Sequence, residues 1–430
     1  GYDVTEHLNY IQVMPLRLPT PADTSEFFSA PLPYLLPSLF DKLCTAAGWP
    51  NCRALDGKTA QAINFLLSLA ITALLWKLAE RLKPGSESFK VSTLSLLGVL
   101  TVYYKTFSQA RGEPYVAFFV VLAVYLLMGH LQRLERLSAR DGTLLGVVLG
   151  LLVLSRQWGF LLFPALAVLL ALLLLKNWPL RARIARFTLT ALLVAFAVGG
   201  WFYLHLYFTY GSFTTFNLQS VGPFSFSNQP QSFYRYTYLE NFDIFREPVR
   251  PNFGNTLYPI FYSETWGDYW GYLTFISQDN PYVNLTENRA EVAPYLGRVN
   301  LVSVFPTLLL LAGLLWGAWH FAKAWLQRNP APDTILYAFA LSVVVFSWVG
   351  YLWFLVSYPS VNPVNLQVIP TNKATYMIQI FMLLPLLGAD LLEKVKTFKP
   401  ALYWVVLAGL ALVFAHNLPA MITRYFWSGV

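Results

Sequence analysis

The chain has 430 residues, of which 56% are hydrophobic and only 12% are charged. Soluble globular proteins carry about 25% charged residues, so this composition excludes a disordered chain and argues against a soluble enzyme. The formal net charge is +8, but the basic residues lie at the ends of apolar runs rather than on one polar face, which argues against a nucleic-acid-binding protein.

Residues 1–60 are polar, rich in proline and aromatic residues, and predict a first external segment. The stretches EHLNYIQVM and FSAPLPYLLPSLFDKL are amphipathic and predict helices that lie along the membrane interface. Asp3 and Glu6 are three residues apart, so on a helix they share a face, where one carboxylate could accept a proton from a substrate. The same spacing also fits helix capping, with Asp3 or Thr5 as the N-cap and Glu6 in the first turn.

Cys44 and Cys52 are the only two cysteines, and seven residues separate them. They could form a disulfide if this segment faces an oxidising compartment, or they could remain two thiols. Neither the cysteines nor the five scattered histidines have the spacing of a zinc site.

Ten apolar stretches predict membrane-spanning helices. They are residues 62–82, 91–107, 114–131, 143–155, 158–175, 187–208, 300–321, 334–357, 375–392 and 400–422. The fourth, GTLLGVVLGLLVLS, is short and could instead be a core or re-entrant segment, which would reverse the sidedness of every later stretch.

Charge favours ten crossings. If residue 1 lies outside, 16 of the 30 Lys and Arg residues lie in the five inner connections or at the helix ends beside them, and the positive-inside rule is satisfied at each crossing. The sequence therefore predicts an all-α polytopic membrane protein with six helices in residues 61–208, a large external loop at 209–298 and four helices in residues 299–430.

Polar residues occur at the predicted outer ends of several spans. They are Arg111 and Glu113 in FSQARGEPY, Arg156 in LSRQWGF and Lys373 in VIPTNKATYM. A cation at the membrane boundary is costly unless it is solvated or paired. Three such cations on one side could bind a phosphodiester. For any single residue, snorkelling or a local ion pair, such as Arg111 with Glu113, is an equally good explanation.

The large external loop contains the segment SETWGDYWGY, with Trp266, Asp268 and Tyr269. Aromatic rings beside a carboxylate are typical of sugar recognition, because rings stack on a pyranose while the acid accepts hydroxyl protons. An aromatic belt at the membrane interface has the same composition. The loop also contains a glycosylation sequon at Asn284, which fits an external position.

The N-terminal stretch GYDVTEHLNYIQVMPLRLPTPADTSEFFSAPLPYLLPSLF resembles the first external loop of GT-C membrane glycosyltransferases, in particular the family related to protein O-mannosyltransferases and lipid A aminoarabinose transferases. The likeness consists of a carboxylate motif followed by His and Tyr, a Leu-Pro element, and an acidic residue before a proline-rich segment, here EFFSAPLPYLL. This family often has adjacent Asp-Glu, whereas Asp3 is followed by Val. Because its members place this loop after a first transmembrane helix, the resemblance implies an eleventh helix before Gly1.

The resemblance implies that a sugar is transferred with inversion from a polyprenyl- or dolichyl-phosphate donor. The acceptor would lie on the external or lumenal face of a bacterial plasma membrane or the endoplasmic reticulum. The proton acceptor would be Asp3 or else Glu6. The residues assigned to the departing lipid phosphate are Arg156, Lys373 and Arg111, and those assigned to substrate or acceptor binding are His7, Glu113, Trp266, Asp268 and Tyr269.

Two other classes of function remain open. The altered carboxylate motif would also fit a non-catalytic GT-C-like subunit of a larger membrane complex. A lipid or solute transporter would need ionisable residues in mid-span, and these stretches are nearly uncharged. Some GT-C enzymes use a divalent metal, for which Asp3, Glu6 and Asp268 are the candidate ligands, but the sequence shows no clear metal site.

Overall fold

The computed structural model describes residues 4–50, 52–214, 221–235, 242–250, 252–270, 289–361 and 368–426. Within these ranges the chain is mostly helical, and the one sheet pairs strand β1, Ser360–Val361, with strand β2, Val368–Ile369, in antiparallel orientation. Asp3 and the predicted sequon at Asn284 lie outside the described residues.

The helices follow one another along the chain with connections that range from a single residue to 46 residues. In the first half they are α1 Val4–Val13, α2 Leu32–Ala46, α3 Cys52–Leu82, α4 Glu87–Gly98, α5 Thr101–Phe107, α6 Glu113–Leu131, α7 Ala139–Val153, α8 Leu162–Lys176, α9 Arg181–Ala195 and α10 Trp201–Tyr210. In the second half they are α11 Leu257–Trp266, α12 Arg289–Val302, α13 Val304–Leu326, α14 Pro332–Ser357, α15 Ile378–Phe398 and α16 Pro400–Phe426.

Eight helical segments of the described chain are long and apolar enough to cross a membrane. They are Asp56–Leu82, Glu113–Leu131, Gln157–Lys176, Trp178–Tyr210, Val292–Leu326, Pro332–Ser357, Ala374–Phe398 and Pro400–Ile422, and each coincides with a predicted stretch. The predicted stretch 91–107 is divided between α4 and α5, and the predicted stretch 143–155 is the 15-residue helix α7. The fold is that of an all-α polytopic membrane protein.

A nearby side chain provides a hydrogen bond to the backbone at the break between α4 and α5. Leu100 has extended backbone angles, so the regular helical hydrogen-bond pattern is interrupted after Gly98. The Tyr104 hydroxyl donates to the Gly98 carbonyl oxygen at 3.0 Å. An interrupted helix is tolerated in an apolar bundle only where such a partner is available, because an unpaired buried carbonyl is costly.

The two ends of the bundle can be located along α3. The Gln61 side chain, in the first half of α3, donates to the Ser108 carbonyl oxygen at 2.8 Å. Lys83, just after α3, lies 3.4 Å from Asp333 and 3.2 Å from Asp390. The 22 intervening steps at 1.5 Å each separate these levels by about 33 Å, close to the thickness of a bilayer core. We call the end at Ser108 the site end and the end at Lys83 the opposite end.

Helix α7 runs between these two ends. Asp141, in its first turn, contacts Arg133 at 2.8 Å, beyond the last residue of α6 at the opposite end. Arg156, three residues after α7, contacts Glu113 at 3.4 Å, and Glu113 begins α6 at the site end. The short helix therefore connects the loops at the two ends of the bundle.

Glycines bring α7 very close to α9. Gly142, Gly146 and Gly150 are spaced four residues apart, so they share one face of α7. A Cβ atom at Gly146 would lie 2.5 Å from the Ala191 carbonyl oxygen and 2.7 Å from the Val194 Cβ. Small residues at four-residue spacing allow this kind of close helix contact in membranes.

We expect Gly146→Ala to destabilise the bundle. The new methyl group would clash with the backbone of α9, so the two helices must move apart. This lowers the free energy of unfolding by about 1–3 kcal/mol. A lower melting temperature of the detergent-solubilised protein would show this loss. Gly98→Ala is the matched control, because a Cβ at Gly98 meets nothing within 4 Å. Equal melting temperatures for the two variants would contradict the close contact of α7 with α9.

Candidate functional site

The N-terminal helix α1 is tied to the loop that follows it by Glu6. The Glu6 carboxylate accepts a hydrogen bond from the Ser25 backbone N–H at 2.6 Å and from the Thr24 hydroxyl at 2.9 Å. The bond from Ser25 is the main reason that the pKa of Glu6 lies below its usual value. Glu6 lies in the first turn of α1, as the capping interpretation predicted. Its carboxylate, however, accepts hydrogen bonds from the loop that follows α1.

This loop carries Glu26 into contact with Arg156. Arg156 Nη1 lies 3.1 Å from Glu26 Oε2 and donates to the Ser29 hydroxyl oxygen at 2.6 Å, while the Ser29 hydroxyl donates to Glu26 Oε2. All three side chains are buried. Burial alone would raise the pKa of Glu26, but the Arg156 guanidinium, aided by His7 and Ser29, brings it well below its usual value.

A second carboxylate completes what we call the Arg156 cluster, namely Glu26, Ser29, Glu113 and Arg156. Arg156 Nε lies 3.4 Å from Glu113 Oε1, and the Glu113 side chain is buried. Gly112 makes this approach possible, because a Cβ there would lie only 2.2 Å from the Ser155 carbonyl oxygen. The turns before α6 and after α7 therefore pack backbone against backbone.

Arg111 and His7 lie at the edge of the Arg156 cluster. Both are buried, and both lower the pKa of Glu26 electrostatically. His7 Nδ1 is 2.8 Å from the Tyr34 hydroxyl of α2. Four of the residues singled out from the sequence thus converge around Glu26: His7, Arg111, Glu113 and Arg156.

A second buried ion pair joins helix α11 to the bundle. Lys105 Nζ of α5 lies 2.8 Å from Glu264 Oε2 and 3.7 Å from Asp268 Oδ1. Burial raises the pKa of Glu264, and Asp268 raises it further, while Lys105 opposes both effects. The Trp270 backbone N–H also donates to Glu264 Oε1 at 3.2 Å. These contacts fix α11 against α5.

The turn that contains Lys373 is held by its backbone. The Tyr351 hydroxyl accepts from the Lys373 N–H at 2.6 Å and donates to the Lys373 carbonyl oxygen at 3.1 Å. Trp270 Nε1 donates to the Asn372 carbonyl oxygen at 3.2 Å. The Lys373 side chain is half-buried, and its Nζ lies 5.8 Å from the ring centre of Tyr376.

Aromatic residues connect the Arg156 cluster with this turn. Trp158 follows Arg156 by two residues, and its ring centre lies 5.2 Å from that of Tyr376 and 6.1 Å from that of Tyr351. Trp158, Tyr351 and Tyr376 therefore link the segment after Arg156 to the turn that contains Lys373.

The aromatic residues Trp266 and Tyr269 are placed differently from what sugar stacking requires. Trp266 is 2% exposed and Tyr269 is 1% exposed, so neither presents a free ring face at the surface of this structure. Asp268 is also buried and faces Lys105. The described part of this segment, residues 263–270, packs α11 onto the bundle, which the composition alone did not indicate.

Several residues at the site were not singled out from the sequence. Glu26 begins the EFFSAPLPYLL segment, where its position before the prolines was a usable signal. Lys105 was detectable as a cation at the end of an apolar stretch, but its partner Glu264 lies 159 positions away in the chain. Nothing in the sequence marked Tyr351, which stands in an apolar span.

The fold and the site define an all-α membrane protein with a buried cluster of charged residues at one end of its helix bundle. Among the described residues, no group of three or more His, Cys, Asp and Glu could hold a metal ion. No family model matches the chain, and no curated protein matches it.

A double substitution tests the Arg156 cluster. Arg156→Met leaves two buried carboxylates without their cation, so we expect a loss of stability of about 3–5 kcal/mol. Adding Glu113→Gln to that variant removes one of the two charges and should recover part of the loss. Unfolding in detergent, followed by tryptophan fluorescence, measures both effects. Additive losses in the double variant would contradict the contact between the two side chains.

Proposed function

We propose that this protein is a GT-C-type glycosyltransferase that moves a sugar from a polyprenyl- or dolichyl-phosphate donor to an acceptor on the non-cytoplasmic side of the membrane. The observation that carries the proposal is the convergence of Glu26, Glu113 and Arg156 from three distant segments into one buried cluster. A polar region at the end of an apolar bundle suits a ligand whose head group is charged and whose tail is a lipid.

The proposed reaction needs a proton acceptor and a phosphate-binding cation. The acceptor hydroxyl loses its proton to a carboxylate and its oxygen bonds to the anomeric carbon. The bond from that carbon to the phosphate oxygen breaks, and its electron pair stays on the lipid phosphate. Asp3 remains the proton acceptor that the family resemblance implies, with Glu6 as the second candidate. Cations near the phosphate lower the barrier because negative charge grows there in the transition state.

The contacts of the two candidate cations differ. Arg156 already faces two carboxylates, whose negative charges oppose the approach of a phosphate. The Lys373 side chain is half-buried beside Tyr376, and a phosphate that contacts it leaves the Arg156 cluster intact. We therefore assign the first contact with the donor phosphate to Lys373 and propose that Arg156 orients the carboxylates and the head group beside them.

The disulfide supports a non-cytoplasmic site. Cys44 and Cys52 are bonded to each other, and both lie in the N-terminal segment that forms the site end. Disulfides persist in oxidising compartments and are rare in the cytosol. The positive-inside pattern independently assigns the same end to the external side.

A transfer assay tests the proposed function. The protein in lipid nanodiscs is incubated with radiolabelled polyprenyl-phosphate hexoses and aminopentoses and with a membrane extract as acceptor, and both sugar transfer and donor hydrolysis are measured. We expect turnover with one sugar class and a loss of about 10²–10⁴-fold for Asp3→Ala, because general-base catalysis contributes that much. Asp23→Ala is the control, because Asp23 lies in the same segment but pairs with Arg17 at the surface.

Two results would contradict the enzyme proposal. One is the absence of any labelled product from a folded protein with every donor tested. The other is transfer by the wild-type protein that neither Asp3→Ala nor Glu6→Ala reduces.

A further variant tests the assignment to Lys373. Tyr351→Phe removes the hydroxyl that forms hydrogen bonds with both the N–H and the carbonyl oxygen of Lys373. The Lys373 turn would then be held less firmly, so we expect a higher KM for the donor with a smaller change in kcat. Tyr337→Phe is the matched control, since Tyr337 is buried in the same helix and lies 14 residues away, about 21 Å along its axis. Equal KM values for the two variants would contradict a positioning role for Tyr351.

A non-catalytic subunit is the second candidate function. It is favoured by the arrangement of Arg156, which already contacts two carboxylates, as expected of a structural ion-pair network. In that case Asp3→Ala would leave growth and complex assembly unchanged. The native protein would then copurify with a partner from mild detergent, and partner recovery would fall in Arg156→Met.

A further inference from the structure

Helix α2 exposes an uncharged apolar stripe. Leu36 is 52% exposed, Leu39 is 41% exposed and Leu43 is 70% exposed, and the nearby Trp49 is 59% exposed. The three leucines lie within about 60° of one another around the helix, so they form one face. The two charged side chains of α2 are directed elsewhere, because Asp41 is buried and Lys42 donates to the Gln12 carbonyl oxygen at 2.6 Å.

The other face of α2 is already used by the protein. Tyr34, Ser38 and Cys44 are buried there, with Tyr34 stacked on Tyr10 of α1 at a ring-centre distance of 3.9 Å. The leucine stripe is therefore not a surface that α2 could turn inward. Whatever covers it comes from outside the described chain.

The disulfide fixes where the end of α2 lies relative to the apolar span of α3. The disulfide joins Cys44, near the end of α2, to Cys52, the first residue of α3. Cys52 lies four residues before Asp56, where the apolar span begins, which is about 6 Å along the helix axis. The bond thus holds the end of α2 at the level where α3 enters the membrane.

The surface of α3 continues the same apolar character. Phe65, Leu66 and Leu69 are each more than half exposed, as expected for a lipid-facing side of a span. The disulfide joins the two helices that carry these exposed apolar residues. An amphipathic helix with Leu and Trp on one face, held at a membrane boundary, is suited to the region between head groups and acyl chains.

We propose that the lipid leaflet at the site end covers the stripe, with Leu36, Leu39, Leu43 and Trp49 inserted among the upper acyl chains and the disulfide fixing the depth of α2. The inference is independent of sugar transfer. It has a structural consequence, because the Leu32 N–H of α2 donates to the Leu154 carbonyl oxygen at 3.1 Å, two residues before Arg156. Lipid contact along α2 therefore holds the Arg156 cluster at the level of the lipid head groups.

Site-directed spin labelling tests the proposal directly. Single cysteines replace Leu36, Leu39 and Leu43, with Thr45→Cys as control. Thr45 is exposed and lies opposite the stripe on the helical wheel. Both native cysteines are consumed by the disulfide, so each introduced thiol is the only free one. The labelled full chain is studied in nanodiscs of phosphatidylcholine and phosphatidylglycerol, and collision rates with oxygen and with a water-soluble nickel complex are compared.

Lipid insertion predicts an oxygen-to-nickel ratio several times higher at the three leucine positions than at Thr45. A high nickel collision rate at the stripe would overturn the proposal, because the stripe would then face water. Low rates with both reagents would also overturn it, since they would indicate a protein neighbour, either a further segment of this protein or a second copy.

The role of the disulfide is tested in the same preparation. Cys44→Ser and Cys52→Ser are added to Leu43→Cys and, separately, to Leu36→Cys. If the bond fixes the depth of α2, the oxygen-to-nickel ratio should fall at position 43 and change less at position 36, which is two turns farther from the bond. Unchanged ratios at both positions would overturn the anchoring role of the disulfide.

Discussion

The site end of this protein depends on one buried guanidinium group. Arg156 is surrounded by protein and lies between Glu26 and Glu113. An ion removed from water loses several kcal/mol of solvation, which only well-placed opposite charges can offset. Each of the three residues would be unfavourable in that position without the others. The ion pairs therefore require that the loop before α2, the turn before α6 and the turn after α7 be assembled together.

Backbone packing brings these segments close enough for the ion pairs to form. Gly112 allows the turns around Glu113 and Arg156 to touch, and Gly146 lets α7 lie directly against α9. Glu6 fixes the loop that leads to Glu26. The pair of Lys105 with Glu264 attaches helix α11 to α5. The charged region is thus held by rigid helices and short turns, as precise ligand binding requires.

The two proposals describe different properties of the same end of the bundle. Sugar transfer concerns the chemistry of carboxylates and cations around the aromatic residues Trp158 and Tyr376. The lipid contact of α2 concerns the depth at which that chemistry would occur. A donor whose phosphate stays at head-group level needs a site at the same level, so the two are compatible, although neither requires the other. Opposite this end, Asp390 accepts from Trp316 Nε1 at 2.7 Å and pairs with Lys83, which links helices where no site is proposed.

The sequence by itself determined the membrane class and the position of most spans, and it predicted the sidedness of the loops. These follow from apolar length and from the placement of Lys and Arg, which are local properties of the chain. It also indicated that Arg111, Glu113 and Arg156 belong to one side, because each stands at the predicted outer end of a span. The likeness of the N-terminal stretch to GT-C enzymes added a function, which remains a proposal.

Only the tertiary structure decided which charges meet. Glu26 lies 130 positions from Arg156, and Lys105 lies 159 positions from Glu264, and no local pattern encodes such pairs. The structure also divided the stretch 91–107 into α4 and α5 and buried Trp266 and Tyr269 in packing, because contacts with other helices outweighed the local preference of those segments. Local patterns set where the chain enters and leaves an apolar solvent, whereas partners for buried charges are set by the three-dimensional packing of distant segments.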